Sequence, residues 1–197
     1  MLSNLLVFAF VLLAVPAAQH VVTEAIEAEV YRAALGAITF EDLGSRSKRH
    51  ALVSSTFDPG GLWRGLAAET RKSAPYLDPR QRLTYAKTET VEAFLEAIGT
   101  QKDLPAALGA VPEFLLVPRK EIRALAEHDQ LEDFERRNAL APGTVAVSRI
   151  GFDASGSQAL LYVSYSCGSL CGYDYFVLLE HRSDGWHAVK VDEYLVS

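Results

Sequence analysis

The C-terminal part of the chain constrains the fold more than any other. Residues 144 to 197 hold four β-favouring runs, TVAVSRIGF, QALLYVSYS, YDYFVLLEHR and WHAVKVDEYLV. Asp153-Ala154-Ser155-Gly156 joins the first two and Ser183-Asp184-Gly185 joins the last two, both with the chemistry of hairpin turns. Alternation puts Ala159, Leu161, Val163 and Tyr165 on one face of the second run, and Tyr173, Tyr175, Val177 and Leu179 on one face of the third. Antiparallel strands with a buried face read this way, and that face must be covered by apolar surface from elsewhere in the chain.

The upstream sequence supplies helices to cover it. Ile26, Val30, Ala34 and Ile38 recur at helical spacing, widened by Tyr31 and Leu35. Val91, Phe94, Leu95 and Ile98 form a second apolar stripe, with Thr88 or Thr90 placed to cap its start. Residues 119 to 138 form a third, carrying Ile122, Leu125, Leu131 and Phe134 inward, with a break expected at His128-Asp129. Two short β-favouring runs, ALVSSTF at 51–57 and FLLV at 114–117, are placed to join the sheet. Residues 62 to 87, polar and basic with Pro75 and Pro79, read as irregular apart from a helical turn. The expected class is α+β, with N-terminal helices packed on an antiparallel sheet that ends in a four-strand meander. No repeat or linker divides it, so residues 19–197 form one domain.

The N-terminus reads MLSNLLVFAFVLLAVPAAQH. An apolar run from Leu5 to Val15 followed by Pro16-Ala17-Ala18 matches the core and cleavage region of a secretory leader, so residues 1–18 are expected to be removed on export. The rival reading, an uncleaved anchor, needs about 20 apolar residues, and Pro16, Gln19 and His20 interrupt the run too early. No later stretch is apolar enough for a membrane span. The expected location is therefore periplasmic or secreted.

Charge narrows the partners. The net charge of −6 argues against nucleic acid, which demands a basic footprint. Nine Lys and Arg residues against Asp58, Glu69 and Asp78 nevertheless make residues 44–88 locally basic. That excess is a solvated face or a patch for an acidic partner.

Both cysteines, Cys167 and Cys171, fall in SYSCGSLCGYDYF between the second and third runs. In an oxidising compartment two such cysteines most simply form a disulfide, and closing so short a ring contributes about 2 kcal/mol in the chain-entropy account. A redox role prefers Cys-x-x-Cys at a helix N-terminus, and a zinc site wants four ligands. A nucleophilic cysteine paired with His181 or His187 is the remaining alternative.

The C-terminal runs also carry a resemblance. Ser148 to Phe152, Ala159 to Val163, Gly168 to Gly172, Phe176 to Glu180 and Gly185 to Val189 resemble the C-terminal part of a widespread bacterial family of exported proteins of unknown function. More loosely, helices followed by a meander closing on Asp-Gly-x-Trp-x-Val are similar to the NTF2-like, cystatin-like fold. That resemblance implies a curved sheet around a pocket and fixes no function, because the fold hosts enzymes and ligand pockets alike.

Candidate functional residues follow. Tyr162, Tyr165, Tyr175 and Trp186, with Tyr173 and Phe176, could line a partly apolar pocket in which tyrosine hydroxyls orient a ligand. Arg149, in an otherwise apolar run, either points to solvent or reaches an anion. His181 and His187, with Asp184, Asp192 and Glu193 nearby, could form an acid–base group. No Gly-x-Ser-x-Gly elbow, His-Glu-x-x-His helix or phosphate-cradling glycine loop occurs in the sequence, and no cofactor or metal is implied. The expectation is a non-catalytic binding or interaction module whose partner is a small molecule or a cell-envelope protein. The alternatives are a small-pocket enzyme using the histidines and carboxylates, or a thiol-disulfide protein.

Overall fold

The computed structural model describes residues 21–38, 49–59, 79–168 and 171–196. The expected leader and residues 44–48 and 60–78 of the basic segment lie outside the described residues. The elements run α1 (Glu24–Gly36), β1 (His50–Val53), α2 (Pro79–Arg82), α3 (Thr88–Ala97), a 3₁₀ helix (Ala106–Ala110), β2 (Phe114–Val117), α4 (Arg119–Glu127), α5 (Leu131–Arg137), β3 (Thr144–Val147), β4 (Gly151–Phe152), β5 (Gln158–Gly168), β6 (Cys171–Arg182) and β7 (Gly185–Val196). The class is α+β. The sheet has seven strands in the order β2-β1-β3-β5-β6-β7, with β4 also paired to β5. Strands β4 to β7 form the antiparallel meander that the hairpin turns demand.

The two early strands do join the sheet, and they make it mixed. β1 runs parallel to β2, with His50 beside Phe114 and Val53 beside Val117, and parallel to β3 on its other side. Parallel neighbours need a long crossover between them. The chain supplies two: α2, α3 and the 3₁₀ helix between β1 and β2, and α4–α5 between β2 and β3.

Both faces of the sheet are buried. On one, Val30, Tyr31, Ala34 and Leu35 of α1 pack on Leu52, Val145, Leu161, Val163, Val177 and Leu179. On the other, Leu83 with Val91, Phe94 and Ile98 of the α3 segment covers Leu160, Tyr162, Phe176 and Leu178. Further along that second face, Leu140 packs on Ala51 and Val117, with Ile122 of α4 and Phe134 of α5 against them. Strands covered on both faces carry apolar residues at successive positions, which is why the run from Ala159 to Val163 has no polar face.

Local chemistry sets the joints. The Thr23 hydroxyl accepts the Ile26 N–H at the start of α1. No threonine caps α3; the Thr90 hydroxyl instead donates to the Gln158 amide oxygen, 2.9 Å away, and ties the helix to β5. The helical stretch from 119 breaks at Asp129, whose φ is +54°, and the chain restarts as α5 at Leu131. Between β3 and β4 the first β-run kinks at Ser148. The Ser148 N–H donates to the Tyr162 carbonyl, its hydroxyl accepts the Tyr162 N–H, and its carbonyl accepts the Tyr31 hydroxyl. The kink therefore leaves no Ser148 backbone group unpaired in the core.

Candidate functional site: a basic cleft at the ends of the parallel strands

The cysteines form the expected disulfide. Cys167 and Cys171 are bonded where β5 and β6 meet, with Gly168 beside Cys171 in register. Gly143 sits tight against this corner: a Cβ there would lie 2.4 Å from the Ser166 carbonyl oxygen and 2.8 Å from the Cys167 Cα. Its N–H donates to the Glu135 carboxylate at 2.6 Å. Burial pushes the Glu135 carboxyl above its ordinary value, a shift that this hydrogen bond opposes.

The aromatic candidates do not share a pocket. Tyr162 lies on the α3 face, fully buried, its ring edge-on to Phe176 at 4.9 Å. Tyr165 and Trp186 are buried on the α1 face, with Tyr175 half-buried against the same cluster. The Tyr165 hydroxyl donates to the Pro142 carbonyl, and burial followed by the nearby Glu135 raises its pKa to about 12. Trp186 packs between Phe152 and His181. These rings build the core on two opposite faces of the sheet.

The histidines are also kept apart. His181 pairs in register with Trp186 and His187 with Glu180, one position along, so the two imidazoles occupy opposite faces of the β6–β7 hairpin. His187 Nε2 lies 2.8 Å from the exposed Asp184 carboxylate near the turn. Asp192 is engaged elsewhere, in a two-bond ion pair with Arg82 and a hydrogen bond from Tyr85. Among the described residues no group of His, Cys, Asp and Glu is placed to hold a metal ion, and no helix is long and apolar enough to cross a membrane.

A cleft of about 440 Å³ opens at the C-terminal ends of β1 and β2. Three segments build it. The chain beyond β1 contributes Ser55; Lys102 and Asp103 come from the connection after α3; Arg119, Lys120 and Arg123 come from α4. The first two segments are laced by the Thr56 N–H donating to the Lys102 carbonyl, the Lys102 N–H donating to the Thr56 hydroxyl, and a bridge between Ser55 and Asp103. Arg119 follows β2 through Pro118 and opens α4, so strand and helix geometry together fix its position.

Arg119 is the cation of the cleft with the most hydrogen bonds to the chain. Its Nε and Nη2 donate to the Ser55 hydroxyl and to the carbonyls of Ser55 and Thr56. Its Nη1 has no partner among the described residues. Burial, then the charge of Arg123, pulls the guanidinium below its ordinary pKa. Among the described residues, Arg119, Lys120 and Arg123 make no ion pair, whereas Lys102 is paired with Glu27 at 2.5 Å. The first hydrogen bonds of α4 run from the Glu121 and Ile122 N–H groups to the Pro118 carbonyl, and no side chain caps the helix. Among the described residues the Arg119 and Lys120 N–H groups have no partner, and they stand at the positive end of the helix dipole.

Arg149, read from the sequence as either pointing to solvent or reaching an anion, does not line this cleft. Its guanidinium donates to the Thr100 hydroxyl at 3.1 Å, next in sequence to Gln101, which lines the cleft. The cleft residues themselves escaped the sequence reading. One signal was present: Arg119, Lys120 and Arg123 fall at i, i+1 and i+4, on the helix face opposite Ile122 and Leu125. That pattern alone reads as a solvated face, and only the fold brings residues 101–103 and Ser55 against it.

No family model, no curated protein and no solved structure matches this chain.

Proposed function

We propose that this is an exported, non-catalytic binding domain whose working surface is the basic cleft, and that it takes a small anionic ligand. The observation that carries this reading is Arg119, a half-buried guanidinium fastened to backbone carbonyls in a concave site, with two more cations beside it and no ion pair to any of the three among the described residues. A buried or half-buried charge is normally paired. Here the partner is supplied by a ligand. Guanidinium and ammonium groups with open helix N–H groups recognise carboxylate and phosphate oxygens. The cleft falls in the volume range of small-molecule sites. Export rests on the leader pattern at residues 1–18, and the disulfide fits an oxidising compartment.

The test is thermal unfolding of the purified protein with increasing inorganic phosphate or citrate, at constant ionic strength set with chloride. A ligand bound only by the folded state stabilises it by about 2.7 kcal/mol at a hundred times its Kd. Wild type is expected to rise in Tm while an Arg119→Ala/Arg123→Ala double variant, itself folded by circular dichroism, stays flat. An equal rise in both proteins removes the cleft as the site.

A further inference from the structure

We infer that the ligand of the basic cleft is a phosphate monoester carried on a hydroxylated skeleton, of the size and chemistry of a pentose or hexose phosphate. This rests on the reading of the cleft as an anion site and goes beyond it by naming the class. The charge inventory is the first argument. Three cations of the cleft, Arg119, Lys120 and Arg123, are unpaired among the described residues, Lys102 is neutralised by Glu27, and Asp103 brings one negative charge to the lining. The surplus is two positive charges. A single carboxylate leaves one of them uncompensated, whereas a phosphate monoester near neutral pH carries almost two negative charges.

Donor geometry is the second argument. The available donors are the Nη1 edge of Arg119, the head groups of Lys120 and Arg123, and the N–H groups of Arg119 and Lys120 at the start of α4. They belong to one helical turn. Three phosphoryl oxygens with several lone pairs can use such a set, while a flat carboxylate has two oxygens in one plane and can use less of it. The charge of Arg123 disfavours that of Arg119, so an anion shared between them also relieves that repulsion.

Asp103 supplies the third argument, because a carboxylate is out of place against a phosphate. It lines the cleft from the segment after α3, whose backbone is bridged to Ser55, and not from α4 itself. There it accepts hydrogen bonds from the neutral part of the ligand, and the Ser55 hydroxyl beside it can donate or accept. Hydroxyl groups are the substituents that fit both.

The experiment is calorimetric titration of the purified full chain with ribose 5-phosphate, gluconate, inorganic phosphate and ribose. Ribose 5-phosphate is expected to bind at least about tenfold more tightly than gluconate, since charge-assisted bonds are lost with the phosphate; free ribose should show no heat of binding. Arg123→Ala, an exposed position, should weaken ribose 5-phosphate and inorganic phosphate together by about tenfold, and Arg119→Ala should do the same where it folds. Asp103→Asn should weaken ribose 5-phosphate about five- to tenfold while leaving inorganic phosphate unchanged or tighter. Gluconate binding as tightly as ribose 5-phosphate would overturn the phosphate class and leave an anion cleft. Ribose 5-phosphate equal to inorganic phosphate, with Asp103→Asn silent, would overturn the hydroxylated skeleton. Failure of every anion to bind wild type better than the Arg123→Ala variant would take the cleft reading down with it.

Discussion

Two buried aspartates show how position decides the behaviour of one side chain. Asp153, in the β4–β5 turn, is held by the Lys87 ammonium at 2.5 Å, the N–H groups of Ser157 and Gln158, and the hydroxyls of Ser155 and Ser157. Burial alone would raise its pKa, but these donors together bring the carboxyl below its ordinary value. Asp174, on β6 opposite Ser164, is also buried; burial outweighs the lowering effect of the nearby Ser164 and Tyr162 hydroxyls, and its pKa is raised. The two therefore pull stability in opposite directions. The Asp153 contribution is present above the ordinary carboxyl value of about 3.9 and is lost as pH falls through its depressed value. The Asp174 contribution is present below about 3.9 and is lost as pH rises through its elevated value, because the folded state then has to carry a buried charge. Asp174→Asn keeps the size and removes that charge. Urea midpoints measured from pH 4 to pH 8 are expected to coincide for variant and wild type at the acid end, and to favour the variant increasingly towards neutrality. Parallel curves would mean that Asp174 titrates alike in the folded and unfolded chains.

Packing between elements turns on one glycine. A Cβ built on Gly151 of β4 would lie 2.2 Å from the Phe94 nitrogen and 2.3 Å from its Cα, so the backbone of α3 rests directly on the strand. A strand glycine often marks such an approach, and no rotamer change relieves a collision with backbone. Gly151→Ala must push α3 off the sheet, opening the packing of Phe94 on Phe176. Its cost should reach or exceed the roughly 1–3 kcal/mol of ordinary overpacking. Gly36, at the end of α1 with open space around it, is the control: Gly36→Ala should be neutral or stabilise by up to about 1 kcal/mol. Chemical denaturation of both variants decides it, and equal midpoints would mean that α3 moves without penalty. Several elements were legible in the sequence. The apolar stripe at Val30, Ala34 and Ile38 marked α1, alternation from Ala159 to Tyr165 marked β5, and Asp-Gly turn chemistry marked the β6–β7 hairpin. The direction of β1 and β2 was not, since FLLV between two prolines carries no sign of which neighbour it meets or whether it runs parallel to it. Nor was the second buried face, because Leu160 and Tyr162 interleave with the first-face residues and reveal their layer only once α3 is in place.

At the scale of the molecule, charge and backbone are distributed to a purpose that no single element shows. The chain is acidic overall, yet one end of its sheet gathers Arg119, Lys120, Arg123 and Lys102 from segments far apart in sequence, which is why the cleft was not legible while the core was. The opposite problem arises at β7, a twelve-residue edge strand whose outward backbone groups are a template for another chain. Arg82, the last residue of α2, covers part of that edge. Its guanidinium grips the Asp192 carboxylate with two hydrogen bonds and donates a third, 2.6 Å long, to the Glu193 carbonyl, occupying a backbone acceptor of the edge itself. Tyr85 adds a bond to Asp192, and Lys190 lies over the Tyr85 ring. The residues around α2 thus act as a clasp on the edge. Arg82→Ala removes three of its bonds and leaves Asp192 with Tyr85 alone. It is expected to cost about 1–3 kcal/mol of stability and to expose the strand for pairing with a second copy. Sedimentation velocity over a hundredfold range of concentration should then show a monomer–dimer shift that wild type lacks. Tyr85→Phe, which loses one hydrogen bond and keeps the Arg82 clasp, should remain monomeric. Were Arg82→Ala destabilised yet monomeric throughout, the clasp would be holding the α2 segment in place without guarding the edge, and the two bulges in the β6–β7 ladder would be the features left to explain why the strand does not pair.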